Sequence, residues 1–173
     1  MMRISVIGSG AMGCLFGSLL SVKNDVVIIG RNKNTVDFIN NHGITINSSE
    51  KFYPKAALNG SFYEKSDLAV IMVKAYDTAK ALENNKKLIE NSQYILTLQN
   101  GLEMLKIFLN LLKEIKFLSA LLNITVLLKK QDISVMAETV QLLSADFPVQ
   151  LKKLLMFFLN AAYLLKQAMM YLG

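Results

Sequence analysis

The run Arg3-Ile4-Ser5-Val6-Ile7-Gly8-Ser9-Gly10-Ala11-Met12-Gly13-Cys14-Leu15-Phe16-Gly17 decides the fold. Residues 4–7 are a short apolar stretch that reads as a buried strand, and a helical pattern takes over from Ala11 to about Val22. Gly8, Gly10 and Gly13 stand at the break in G-x-G-x-x-G spacing. Gly8 permits the tight turn out of the strand, and Gly10 lets the backbone come close to a pyrophosphate. Gly13 lets the helix lie against the sheet, while Gly17 keeps the same face small. The first amides of that helix, from Ala11 and Met12 onward, then face an anion. Such spacing is weak evidence alone. A strand before it and a helix after it make it a dinucleotide-binding turn.

Downstream the same alternation repeats. Residues 25–29 (D-V-V-I-I) read as a second buried strand, closed by Gly30-Arg31-Asn32. This is where such folds select between their two nicotinamide cofactors. An acid here accepts from the ribose hydroxyls, whereas an arginine pairs with a 2′-phosphate. The sequence offers Arg31 and no acid beside it, which points to NADP. Residues 34–41 suggest a short helix, residues 44–46 a strand, and residues 47–66 a polar, irregular connection containing Pro54. Residues 67–73 form a third strong apolar run, followed by Lys74-Ala75-Tyr76-Asp77. Residues 78–91 carry a helical pattern, and residues 94–98 a fourth strand that ends in Gln99-Asn100-Gly101. Strands alternating with helices imply a Rossmann-like, doubly wound parallel α/β sheet. Ligands of such sheets bind at the carboxyl ends of the strands, where the glycine turn, Arg31, Lys74 and Asn100 all fall.

The composition excludes other classes. The chain has 173 residues, 53% of them hydrophobic, with a net charge of +6 and a pI near 9.4. Its nineteen basic residues are scattered and form no arm or stripe, which argues against a nucleic-acid binder but suits an anionic small ligand. The single cysteine, Cys14, allows no intrachain disulfide and suggests a cytoplasmic protein, with Cys14 acting as a small buried hydrophobe. With His42 the only histidine, a multi-histidine metal site is excluded, and His42 itself reads as a turn residue. No signal peptide is expected. The most apolar later runs, residues 117–128 and 154–165, are too short to span a bilayer.

The first 101 residues resemble the cofactor domain of the ketopantoate reductase (2-dehydropantoate 2-reductase) family. The matching pieces are G-S-G-A-M-G from Gly8 to Gly13, Gly30-Arg31, V-K-A-Y around Lys74 and L-Q-N-G around Asn100. The resemblance implies NADPH-dependent reduction of a 2-keto acid, giving pantoate in pantothenate biosynthesis. Gly8, Ser9, Gly10, Ala11, Met12 and Gly13 would hold the pyrophosphate and Arg31 the 2′-phosphate. Lys74 and Asn100 would lie beside both the cofactor and the keto acid. The family's proton donor is a lysine of a second, helical domain, so no residue here is expected to be catalytic. The chain then reads as a truncated cofactor part, inactive alone.

Beyond residue 101 the sequence changes character. Eight of the nine glycines lie within the first 101 residues, and the ninth is the last residue of the chain. Roughly a quarter of residues 102–173 are leucine, and the segment reads as an atypical, mainly helical continuation. A divergent helical extension or a membrane-surface helix is one account of it, and a shifted reading frame near Gly101 or Leu102, suggested by back-translation, is the preferred one. Residues 130–137, read two bases later, can be spelled as an A-G-x-I-x-H segment similar to the family's own continuation. On that reading the sheet lacks its later strands, and the edge beside residues 94–98 or that of its neighbour stays open.

Overall fold

The computed structural model describes residues 1–47, 49–97 and 99, the backbone of residues 117–119, and positions 149, 153 and 156. Met1–Ser119 form one compact unit, which holds the sheet, and Ala120–Gly173 a second. In the second unit, Val149, Lys153 and Met156 are exposed helical positions.

The four apolar runs expected as buried strands each form one. β1 (Arg3–Ile7), β2 (Asp25–Gly30), β5 (Lys55–Leu58), β6 (Ser66–Ile71), β7 (Ser92–Thr97) and β8 (Phe117–Ser119) make one six-stranded sheet in the order β5-β2-β1-β6-β7-β8. Every pairing within it is parallel. The order reverses between β2 and β6, on either side of β1, which is the topological switch point of a doubly wound sheet. β3 (Ile44–Ile46) and β4 (Glu50–Phe52) form a separate antiparallel pair.

Helices cover both faces. α1 (Ala11–Ser21) lies on the face carrying Val6 and Ile28, where a Cβ added to Gly17 would stand 2.6 Å from Ile28 Cδ1. α2 (Lys33–His42) starts at Asn32, whose side chain accepts from the amides of Asn34 and Thr35, and ends at Gly43 with φ +72°. The opposite face buries Ile7, Val27, Ile29, Ile71 and Ile95 beneath Ala81, Leu82, Leu88 and Ile89. These last come from α3 (Thr78–Asn84) and α4 (Lys86–Glu90). α3 follows a single 3₁₀ turn at Ala75–Asp77.

Three expectations need correction. The connection after β3 is not irregular, since it contains β4 and the sheet-edge strand β5. The helix expected over residues 78–91 is two helices, broken at the buried Asn85. Of the two edges expected to be open, the one beside β7 is paired, since the backbone of residues 117–119 runs along it, Ile95 opposite Phe117 and Thr97 opposite Ser119. Those three residues lie inside the segment expected to be helical. Apart from the helical positions 149, 153 and 156, the rest of the helical segment expected beyond residue 101 lies outside the described residues. Among the described residues, no helix is long and apolar enough to cross a membrane.

Candidate dinucleotide site

The site begins with the turn after β1. Gly8 has φ +124°, and a Cβ there would stand 2.7 Å from the carbonyl oxygen of Met72. No L side chain fits that backbone at low cost. The Gly8 amide continues the sheet by donating to Ile29 O at 2.8 Å, and Met72 N donates to Ile7 O at 2.8 Å. The turn is therefore clamped between the ends of β2 and β6. Gly13 is needed for another close approach, because a Cβ there would overlap the Gly8 carbonyl oxygen. Its fit is with the turn, and the tight contact of helix with sheet falls to Gly17. Gly10 differs from both: no atom lies within 4 Å of an added Cβ, so that space opens into a groove.

The groove has a volume of about 490 Å³ and runs along the carboxyl ends of β1, β2 and β6. Gly8, Ser9 and Gly10 line one end of it, and Ala11, Met12 and Gly13 form the first turn of α1 beside it. Gly10 is the N-cap of α1 and offers no side-chain cap, and the first turn holds no acid. The positive end of the helix is thus left for an anion. Arg31, Lys74 and Lys80 add three cations to the lining, against one carboxylate, Asp77. Lys74 is exposed, with its ammonium 5.8 Å from the Tyr76 ring centroid.

A set of hydrogen bonds fixes the Lys74 turn. Asp77 N donates to Lys74 O at 2.9 Å, and Thr78 Oγ1 donates to Gln99 Oε1 at 2.9 Å. Gln99 Nε2 donates in turn to Val73 O. Gln99 thereby ties the end of β7 to the turn that follows β6. Asn85, 2% exposed, steadies the far side: its amide donates to Ala81 O and Asn59 Oδ1, and its oxygen accepts from Gly60 N.

Of the expected residues, the structure brings Gly8, Ser9, Gly10, Arg31 and Lys74 to one groove, with Ala11, Met12 and Gly13 at the helix start behind it. Asn100 lies outside the described residues. One premise fails: the sequence shows no acid beside Arg31, but the fold does. Asp77 Oδ2 lies 3.4 Å from Arg31 Nη1. β2 and β6 flank β1, so the residues after each open onto the same edge although 46 positions apart. Lys80 was also missed, because it sits within a helix rather than at a strand end. Cys14 is half-buried, with its thiol toward Ser9 O at 3.5 Å, and burial pushes its pKa up. His42 is exposed at the end of α2, stacked on Phe38 with ring centroids 4.6 Å apart.

Comparison with known proteins agrees with this geometry. The family model described as ketopantoate reductase PanE/ApbA matches residues 4–143. The 2-dehydropantoate 2-reductase of Pyrococcus abyssi is 37% identical over 103 residues, covering 58% of this chain and 34% of that protein. The Lactococcus lactis enzyme of the same name is 34% identical over 107 residues. Among solved structures, a PanE/ApbA family ketopantoate reductase from Ralstonia eutropha superposes with a TM-score of 0.60 at 28% identity, covering 68% of this chain and 40% of that one. D-mandelate dehydrogenase in complex with NADH gives 0.53 at 30% identity, covering 64% and 34%. This chain spans about a third of the length of the curated relatives it matches. A family match over most of the chain, on a doubly wound sheet whose glycine turn opens into a basic groove, places this protein in the ketopantoate reductase PanE/ApbA family.

Proposed function

We propose that this chain is the NADP(H)-binding part of a 2-keto acid reductase that converts 2-dehydropantoate to pantoate. The observation that carries this reading is the convergence of the Gly8–Gly10 turn, the uncapped start of α1, Arg31 and Lys74 on one groove at the switch point of the sheet. The open space at Gly10 fits a pyrophosphate drawn close to the backbone. A bound nicotinamide supplies a hydride to a keto carbon. The residues of this chain hold the cofactor by its phosphates: Gly8, Ser9, Gly10, Ala11, Met12 and Gly13 around the pyrophosphate and Arg31 at the 2′-phosphate. Lys74 adds positive charge beside the cofactor and the substrate carboxylate, and Asn100 takes its place there by family resemblance.

On this reading residues 1–101 are the cofactor part, 102–173 an atypical continuation, and no residue here donates the proton that the reduced oxygen needs. The test is a titration of the purified chain with NADPH, followed by addition of 2-dehydropantoate. Saturable binding without turnover is expected. Steady oxidation of NADPH over many turnovers would show that the chain holds its own acid, and absence of binding would end the reading altogether.

A further inference from the structure

Asp77 precedes α3 with helical backbone angles, φ −91° and ψ −7°, because the 3₁₀ turn runs straight into the helix, so its carboxylate is not set to cap the first amides. Here its side chain makes no cap bond. Instead it lines the groove and reaches Arg31 at 3.4 Å. The placement is imposed, because the turn that carries it is fixed by the Lys74, Thr78 and Gln99 hydrogen bonds. The Asp77 side chain is 27% exposed, against 78% for Arg31, so the carboxylate is the fixed member of the pair and the arginine the movable one.

We propose that Asp77 is a specificity-determining residue, a resident anion that competes with a cofactor 2′-phosphate for Arg31. The inference rests on the dinucleotide reading of the groove. A phosphate arriving at Arg31 must share the guanidinium with Asp77 or displace it, and it meets a like charge as it does so. A ribose hydroxyl meets no such cost, and a carboxylate can accept its hydrogen bond. Asp77 thus lowers the preference for the phosphorylated cofactor that Arg31 alone would confer. Lys80, one turn further along α3, remains as a second cation on the same wall.

The experiment is a direct titration of NADPH and NADH into the wild-type chain, Asp77→Asn, Asp77→Ser, Arg31→Ala and the Arg31→Ala/Asp77→Asn double variant, at low and high salt. Asp77→Asn should tighten NADPH binding about three- to tenfold and change NADH binding less than about twofold, as expected for one partly exposed charge. The gain should shrink in the Arg31→Ala background and at high salt. Asp77→Ser, smaller and neutral, should move selectivity the same way, which separates charge from shape. Binding of both cofactors with an unchanged ratio in Asp77→Asn would overturn this role and leave the dinucleotide reading intact. Weaker NADPH binding in Asp77→Asn would also overturn it, by showing that the carboxylate poises Arg31 for the phosphate. Failure of every variant to bind either cofactor would overturn both.

Discussion

At the scale of the residue, the three glycines of the turn do different work, and substitution should separate them. Gly8→Ala places a Cβ in a left-handed backbone and against Met72 O, so it should cost about 1–3 kcal/mol of stability, measured by urea unfolding. Gly10 has a negative φ and open space around its absent Cβ, so Gly10→Val should melt within a few degrees of wild type. The valine would nevertheless fill the place of closest approach to the phosphates, and NADPH affinity should fall at least about tenfold, or about 1.4 kcal/mol. Normal binding by Gly10→Val would move the pyrophosphate elsewhere. Cys14 gives a pH-dependent expectation. Burial favours its neutral thiol, so less thiolate is present at neutral pH than in an exposed cysteine, and disulfide reagents should react slowly. The rate should rise only above the usual thiol range, and brisk labelling at neutral pH would contradict the burial. The turn was legible in the sequence because its glycines stand within six residues of one another between a strand and a helix, although Gly8 itself answers to Met72, far along the chain. Asp77 was not legible, because its meeting with Arg31 depends on which strands flank β1.

Among the elements, the strong strands could be read because they are buried on both faces and leave long apolar runs. β5 escaped for the opposite reason. Lys55-Ala56-Ala57-Leu58 has no β-branched residue and only half-buried apolar side chains, since it lies at the sheet edge and takes its order from β2. The break between α3 and α4 was equally hidden, because Asn85 interrupts a helical pattern without a glycine or proline. Its structural role is plain once its partners are seen. Asn85→Ala removes the partner of Gly60 N and Asn59 at a part-buried junction, and should cost about 0.5–1.5 kcal/mol by urea unfolding. Since Asn59 lines the groove, the same change should weaken cofactor binding. A neutral effect on both would show that this junction is not what holds the groove wall.

For the molecule as a whole, the unit that carries the groove extends to Ser119, and the family match extends further, to residue 143. Pairwise alignments with the curated relatives run over only 103–107 residues. Reading the gene across the Gly101 codon and comparing its other frames will show directly whether residues 102–173 follow the frame of the first hundred. What β8 adds is physical whichever frame is found, since it pairs with β7 and leaves that strand no free edge over Ile95, Leu96 and Thr97. The central claim, that one groove at the carboxyl ends of β1, β2 and β6 takes a nicotinamide dinucleotide, is tested most directly by amide hydrogen exchange of the intact chain with and without NADPH. The account expects slower exchange confined to residues 8–13, the stretch around Arg31, the Lys74–Asp77 turn and the groove-lining neighbourhoods of Asn59 and Lys80. Asn100 joins them by family resemblance, and the β3–β4 pair stays unchanged. Exchange unaltered by saturating NADPH, or protection centred on the β3–β4 pair, would contradict it.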